Sequence, residues 1–255
     1  MTTRLLRGVV ACTCAVGALG STAAQAAPAP DQRPVRPLQS DAALGTERLS
    51  DERTITRYAN AVARARIRGR PSVDASPVAR LRYRTEDGPL ETYLALESRV
   101  DAAGRTWVRV RIPQRPSGRT GWVDRDDLGP LFTVTTMLRV DRRALRATLF
   151  KRGRQIWSSR IGVGKPSTPT PAGRFWIRTR LKGLAGGTIY GPWAFGTAAY
   201  SVLSDWPGGG VVGIHGTNQP RLIPGRPSHG CIRVPNGNIR RLARLMPVGT
   251  PVRIV

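Results

Sequence analysis

Short extended runs separated by turn residues make up most of this chain, and this pattern limits the fold to a mainly β architecture. The clearest extended runs lie at residues 93–96, 107–112, 121–123, 132–140, 147–150, 174–177 and 252–255. Only the segment from Ile239 to Met246 carries apolar residues at helical spacing, and Pro247 ends it. We therefore predict an all-β fold, built as antiparallel sandwiches or barrels, with one short C-terminal helix.

The 255 residues divide into four predicted segments. Residues 1–26 are predicted to form a signal peptide, and residues 27–62, which are rich in Pro, Ala, Arg and Asp, a flexible tether. A small barrel is expected over residues 63–130 and a larger β domain over 131–255, because about 230 residues suffice for two small cores.

The first residues predict export. Arg4 and Arg7 give a positive start, residues 9–19 form an apolar run, and an Ala-x-Ala pattern ends at Ala26. The run is too short for a permanent membrane helix, so no integral span is expected in the mature chain. Lipidation at Cys12 is the alternative. The predicted location is therefore secreted, outside the cytoplasm.

The charge favours anionic partners. A formal net charge of +25 falls to +23 once Arg4 and Arg7 are removed, since residues 1–26 contain no acid. The basic residues are scattered without the interleaved aromatic residues of a single-strand binder, so no nucleic acid is expected. Anionic wall polymers fit an exported protein, and coding bias toward Arg over Lys is the alternative explanation.

Cys231 is the only cysteine outside the predicted signal peptide, and both histidines of the chain, His215 and His229, lie within 16 positions of it. Cysteine chemistry needs a thiolate, a base that accepts its proton and donors aimed at an oxyanion. Gly216 and Gly230 flank the histidines and leave the backbone accessible. If a strand includes His229 and Cys231, their side chains point to one face. This grouping predicts a nucleophilic cysteine site.

Two regions of the chain resemble known protein families. The segments 104–110, 119–123 and 127–128 are similar to bacterial SH3-like wall-binding modules. The segments Ile214-His215-Gly216 and Ser228-His229-Gly230-Cys231-Ile232-Arg233 resemble the signature of the L,D-transpeptidase (YkuD-type) family. The residues around Gly164, Thr170-Pro171 and Tyr190-Gly191-Pro192 match other segments of that family, so the similarity covers about residues 132–255.

The family resemblance implies a role for each matching residue. Cys231 is the nucleophile, His215 is the proton acceptor and donor, and the carbonyl of Gly216 orients the imidazole in place of a carboxylate. Backbone N–H groups around His229, Gly230 and Cys231 form the oxyanion hole.

The resemblance also implies residues that contact the substrate and the chemistry that follows. Arg233 stabilises negative charge or positions a stem-peptide carboxylate, Ser228 fixes the local turn, and Tyr190 and Thr217 line the substrate site. The implied reaction proceeds through a thioester on Cys231 and cross-links the diamino acid residues of two peptidoglycan stem peptides. Some carbapenems are expected to acylate the same thiol. No cofactor and no metal is expected.

Several alternatives stay open at this stage. Cys231 could be an inert buried thiol, His229 could be structural, Arg233 could be one of many solvated arginines, and the three residues His215, His229 and Cys231 could ligate zinc. The chain could also be a carboxypeptidase that trims tetrapeptide stems, or a catalytically idle wall-binding protein.

Overall fold

The extended runs of the sequence form two β-sheets. The computed structural model describes residues 45–182, 188–205 and 207–255. The predicted signal peptide, residues 1–26, and the first part of the predicted tether lie outside the described residues. The prediction of a mainly β fold is confirmed. Within the described residues there is one α-helix.

The first sheet has eight strands. Their bounds are β1 (Thr46–Arg48), β2 (Thr56–Ala59), β3 (Arg66–Arg68), β4 (Pro77–Arg80), β5 (Tyr93–Val100), β6 (Thr106–Arg111), β7 (Thr120–Asp124) and β8 (Phe132–Val134). The strand order is β4-β3-β7-β6-β5-β2-β8, and β1 pairs with the far end of β5. In β7, the buried Gly121 and Val123 alternate with half-buried neighbours, so one face packs on a core that includes Tyr93, Val108 and Val110.

Strands β1 and β2 correct the predicted tether, which extended to residue 62. Strand β2 pairs with β5 on one side and β8 on the other, so this segment is part of the sheet. Its four residues are too few to show periodicity, and the partners that bury Thr56 and Ala59 lie far along the chain. Strand β8 likewise carries the first sheet past the predicted boundary at residue 130. The assignment of this sheet to the SH3-like class stays a prediction.

The second sheet has ten strands and carries the predicted site. Their bounds are β9 (Thr136–Asp141), β10 (Arg146–Lys151), β11 (Arg154–Arg160), β12 (Gly162–Gly164), β13 (Gly173–Lys182), β14 (Trp193–Tyr200), β15 (Val211–His215), β16 (Gly225–Ser228), β17 (Ile232–Arg233) and β18 (Pro251–Ile254). The strand order is β11-β10-β9-β18-β13-β14-β15-β17-β12-β16. Short 3₁₀ turns occur at Arg125–Asp127, Pro207–Gly210 and Pro220–Leu222.

Helix α1 (Asn236–Leu245) follows β17 directly and begins three residues before the predicted start. Ile239, Leu242 and Ala243 are its buried residues, at the i, i+3 and i+4 spacing that places them on one face. They join the core of the second sheet, together with Phe195. The helix therefore fixes the chain immediately after the predicted cysteine site.

A buried contact joins the two sheets. The guanidinium of Arg178 on β13 pairs with the carboxylate of Glu91, which lies just before β5, and both side chains are almost fully buried. The indole N–H of Trp176 donates to the carbonyl of Thr92 at 2.8 Å. Leu94 of β5 belongs to the core of the second sheet. The first sheet is therefore packed against the second through the start of β5.

Candidate active site

Parallel pairing of β15 with β17 brings the two halves of the sequence motif together. Ile214 is in register with Ile232, and His215 with Arg233. One step back along both strands, the N–H group of Gly213 donates to the Sγ atom of Cys231 at 3.4 Å. The fifteen residues between His215 and Cys231 are therefore closed into a loop whose ends are neighbours in the sheet.

His215 lies at the end of β15 and is buried, with 4% of its surface exposed. Its Nδ1 atom donates to the carbonyl oxygen of Gly216 at 2.6 Å. A carbonyl oxygen can only accept, so this contact holds the proton on Nδ1 and leaves Nε2 as the basic nitrogen. The imidazole is therefore covered although it lies at the end of a strand.

Burial sets the protonation states of both groups at neutral pH. Removal from water lowers the pKa of His215 to about 4; the hydrogen bond to Gly216 opposes this shift, and the charge of Arg233 adds to it. Burial also raises the pKa of the Cys231 thiol, against the Gly213 hydrogen bond and the Arg233 charge. Thiol and imidazole are therefore both neutral in the resting protein.

Gly213 leaves room between the two side chains. A Cβ atom built on Gly213 would lie 3.6 Å from Cδ2 of His215 and 3.8 Å from Sγ of Cys231. The imidazole and the thiol therefore border the same space above this residue. No motif marks Gly213 in the sequence, although it is the residue of β15 that lies beside the cysteine.

The residues before Cys231 form a turn between β16 and β17. The hydroxyl of Ser228 donates to the carbonyl of Cys231 at 2.5 Å and accepts the N–H of Gly230 at 3.2 Å. Gly230 is buried with a φ of +126°, a backbone conformation that side chains strongly disfavour. The prediction that Ser228 holds the local turn agrees with these contacts.

This turn corrects two expectations. Residues 229–231 are not in a strand, so the alternation that would place His229 and Cys231 on one face does not apply; His229 is exposed, whereas Cys231 is half-buried. The N–H of Gly230 is directed at Ser228, so it is not positioned as an oxyanion donor. The physical reason is the positive φ of Gly230, which reverses the chain where a strand would continue.

Two hydroxyl side chains from distant segments hold the turn, and sequence analysis assigned neither a role. Thr170 donates to the carbonyl of Gly230 at 2.8 Å and accepts the N–H of Gly164 at 2.9 Å. Ser201, directly after β14, donates to the carbonyl of His229 at 2.9 Å. The family resemblance included Thr170, which was the available signal; no local pattern marks Ser201.

The chain after His215 is packed tightly against a second turn. The N–H of Thr217 donates to Oδ1 of Asn236, the first residue of α1, at 2.9 Å. A Cβ atom on Gly216 would lie 2.4 Å from that same Oδ1 and 3.0 Å from the Cα atom of Gly191. Thr217 is itself buried, and its hydroxyl accepts the N–H of Gln219. The predicted contact of Thr217 with substrate is therefore not supported, because the residue stabilises the loop instead.

Tyr190 and Arg233 border the site from two sides. The ring of Tyr190 contacts the imidazole of His215 edge-on, with centroids 5.0 Å apart, and the tyrosine is exposed. Arg233 donates from Nη1 to Oε1 of Gln219 at 2.9 Å, while its Nε is buried and has no hydrogen-bond partner among the described residues. The contacts of these two residues with a substrate stay a prediction.

The part of the chain that carries this site matches known proteins. Residues 135–254 match the family model for the L,D-transpeptidase catalytic domain (YkuD). The chain is 34% identical over 123 residues to a Bacillus subtilis protein named as the L,D-transpeptidase YkuD, covering 48% of this chain and 68% of that protein. A Bacillus licheniformis protein of the same name is 34% identical over 122 residues, covering 48% of this chain and 67% of the relative.

Among solved structures, a mutant of the Enterococcus faecium L,D-transpeptidase is 29% identical, with a TM-score of 0.38, and the match covers 47% of this chain and 49% of that one. This chain thus spans about half the length of the enterococcal protein. The fold and site are those of a β-sheet domain with a cysteine and a histidine at adjacent strand ends. The chain belongs to the L,D-transpeptidase (YkuD) family.

Proteins of this family act on the stem peptides of peptidoglycan. In the part of the chain that the structure describes, no group of three or more His, Cys, Asp or Glu side chains is arranged to hold a metal ion. Over the same residues, no helix has the length and apolar character needed to span a membrane.

Proposed function

We propose that this chain is a cysteine-dependent L,D-transpeptidase that cross-links the diamino acid residues of two peptidoglycan stem peptides through a thioester. The hydrogen bond from Nδ1 of His215 to the carbonyl of Gly216 is the observation that carries the proposal. It leaves Nε2 as the basic nitrogen of an imidazole that borders the same space as the Cys231 thiol.

The first half-reaction acylates the enzyme. Because thiol and imidazole are both neutral, the proton moves from Sγ to Nε2 as Sγ attacks the carbonyl carbon of the amide that links the diamino acid to the terminal D-Ala. The backbone N–H groups of His229 and Cys231, without that of Gly230, stabilise the oxyanion. The C–N bond then breaks, His215 returns its proton to the leaving amine, and D-Ala departs from a thioester.

The second half-reaction transfers the acyl group. The side-chain amine of a second stem peptide attacks the thioester carbon while His215 accepts one of its protons, and the returning Cys231 thiolate is protonated by the imidazolium. Arg233 is half-buried and in register with His215, and its guanidinium binds a carboxylate of the stem peptide. Tyr190 covers the imidazole and limits its contact with water.

The location and the wider partners follow from the sequence. We propose that the protein is exported by its N-terminal segment and acts at the cell wall, where its excess of arginine favours contact with anionic wall polymers. The first sheet is proposed as an SH3-like module. These proposals are independent of the chemistry at Cys231.

The decisive experiment incubates the purified protein, and in parallel Cys231→Ala, with a disaccharide-tetrapeptide from a diaminopimelate-containing wall and reads the products by mass spectrometry. A dimer that has lost one terminal D-Ala, absent with the variant, is the expected result. Tripeptide alone identifies a carboxypeptidase instead. No turnover with any acceptor would show an idle wall-binding protein.

A further inference from the structure

One arginine of the first sheet holds a loop that borders the cysteine turn. Arg115 lies between β6 and β7, and its guanidinium donates to three carbonyl oxygens of the segment between β14 and β15: Ser201 at 2.8 Å, Leu203 at 3.3 Å and Gly209 at 3.1 Å. A guanidinium carries five N–H donors in a fixed plane, so one side chain can hold several carbonyls at once. The described residues of this segment, 201–205 and 207–210, are here called the β14–β15 loop.

Arg115 is itself fixed in place by Tyr200, the last residue of β14. Its guanidinium lies over the tyrosine ring, 4.9 Å from the centroid, and the Tyr200 hydroxyl donates to the carbonyl of Pro113 at 2.7 Å. Both contacts cross between the two sheets. A stacked, multiply bonded arginine of this kind has a defined orientation, which a solvated arginine lacks.

The β14–β15 loop in turn contacts the residues that present Cys231. Ser201 donates from its hydroxyl to the carbonyl of His229 at 2.9 Å, and a Cβ atom on Gly230 would lie only 3.1 Å from the same hydroxyl oxygen. The loop is closed at its base by the N–H of Ser201, which donates to the carbonyl of Gly210 at 2.8 Å. Two hydrogen bonds therefore separate Arg115 from the cysteine turn.

We propose that Arg115 is a positioning residue through which the first sheet holds the β14–β15 loop against the turn at 228–231 and so sets how the donor stem peptide meets Cys231. Without the guanidinium, the carbonyls of Ser201, Leu203 and Gly209 lose the donor that they share. The consequence for catalysis rests on the proposed transpeptidase activity; the structural coupling does not.

Hydrogen exchange read by mass spectrometry tests the coupling without any substrate. Peptides covering 201–210 and 228–231 are expected to exchange at least tenfold faster in Arg115→Ala than in the wild type. Arg119→Ala is the matched control, because Arg119 lies on the same connection and donates to the carbonyl of Val78 within the first sheet. Equal exchange of both peptides in Arg115→Ala and the wild type would overturn the proposal.

Kinetics test the consequence. In Arg115→Ala we expect kcat/KM for the tetrapeptide donor to fall by about tenfold to a hundredfold, the cost of a small misplacement of reacting groups. Alkylation of Cys231 by iodoacetamide is expected to change by less than twofold, since the small reagent does not need the loop. Arg115→Lys should recover part of the donor activity, and it replaces Arg115→Ala if that variant does not fold.

A double-mutant cycle with Ser201→Ala separates positioning from general destabilisation. If Arg115 acts through Ser201, the two losses in kcat/KM are strongly non-additive. Additive losses, or an equal loss in Arg119→Ala, would contradict the proposed path. If the wild type itself shows no turnover, the proposed function fails while the exchange experiment still decides the coupling.

Discussion

His215 donates from Nδ1 to the carbonyl oxygen of the very next residue, Gly216, at 2.6 Å. In many cysteine and serine enzymes a carboxylate holds the imidazole, but no Asp or Glu follows Asp205 in this sequence. A backbone carbonyl does not titrate in the working range of an enzyme. The orientation of the ring therefore depends on the packing of residue 216 and persists over a wide pH range.

Activity should fall on the acidic side only near pH 4. His215 must be neutral to accept the thiol proton, and burial lowers its pKa to about 4. We expect the acylation rate to be flat from pH 8 to about 5 and to fall about tenfold per unit below pH 4. Acylation of the protein by a carbapenem, followed by mass spectrometry, provides the measurement. A midpoint near 6.5, the ordinary histidine value, would show that the imidazole is solvated in the working enzyme.

The same shift makes stability depend on pH. Because His215 is buried neutral, the unfolded chain binds a proton that the folded chain does not between pH 6.5 and about 4. The free energy of unfolding therefore decreases as pH falls through this window, by about 3 kcal/mol in total. Urea unfolding at pH 7 and pH 4.5 measures the loss. His215→Gln is the control, because every other titrating group is retained; an equal loss in that variant refutes the assignment.

Gly216 should not tolerate a methyl group. The Cβ atom of Gly216→Ala would lie 2.4 Å from Asn236 Oδ1 and 2.9 Å from Cδ of Pro192, so the carbonyl that holds His215 must shift. We expect at least a tenfold loss of activity and a stability loss of about 1–3 kcal/mol.

Gly237→Ala is the control for Gly216→Ala. Gly237 is the second residue of α1 and follows Asn236 directly. Nothing lies within 4 Å of its Cβ position, so this variant should keep activity and gain up to about 1 kcal/mol. Transpeptidation assays and urea unfolding compare the two. Full activity in Gly216→Ala would mean that the carbonyl is not needed to orient the imidazole.

Thr170 and Thr168 differ in what their buried hydroxyls do. Thr170→Val removes a donor to the carbonyl of Gly230 and an acceptor for the N–H of Gly164, so we expect a loss of about 1–3 kcal/mol and reduced activity through the cysteine turn. The hydroxyl of Thr168 is buried with no hydrogen-bond partner among the described residues, so Thr168→Val should be neutral or stabilising. Chemical denaturation measures the free energy of unfolding of both variants. An equal change in the two would contradict the prediction.

Breaking the buried ion pair between the sheets should cost more stability than breaking an ion pair at the surface. The exposed fractions of the Arg178 and Glu91 side chains are 2% and 0%. Glu91→Gln leaves a buried guanidinium with only the half-buried Glu86 as an anionic partner, and we expect a loss of about 3 kcal/mol. Glu47→Gln removes the exposed partner of Arg57 and should cost less than about 1 kcal/mol. Similar urea midpoints for the two variants would refute a buried, uncompensated charge.

The sequence by itself determined the fold class and the residues of the candidate active site. Short apolar runs separated by glycine and proline favour strands over helices. The one segment with helical spacing of apolar residues forms α1. Cys231, His215, Gly216 and Ser228 could be named because a local motif carries them, and local motifs reflect backbone requirements that neighbouring residues share.

Only the tertiary structure decided which distant residues support that centre. Thr170 and Ser201 reach the cysteine turn across 60 and 28 residues, and Arg115 reaches Ser201 across 86. No periodicity in the sequence indicates such pairings. Strand β2 likewise exists because β5 and β8 flank it. The burial of His215, and with it the lowered pKa, also follows from packing, because desolvation depends on the neighbours that a fold brings together and not on the residues adjacent in sequence.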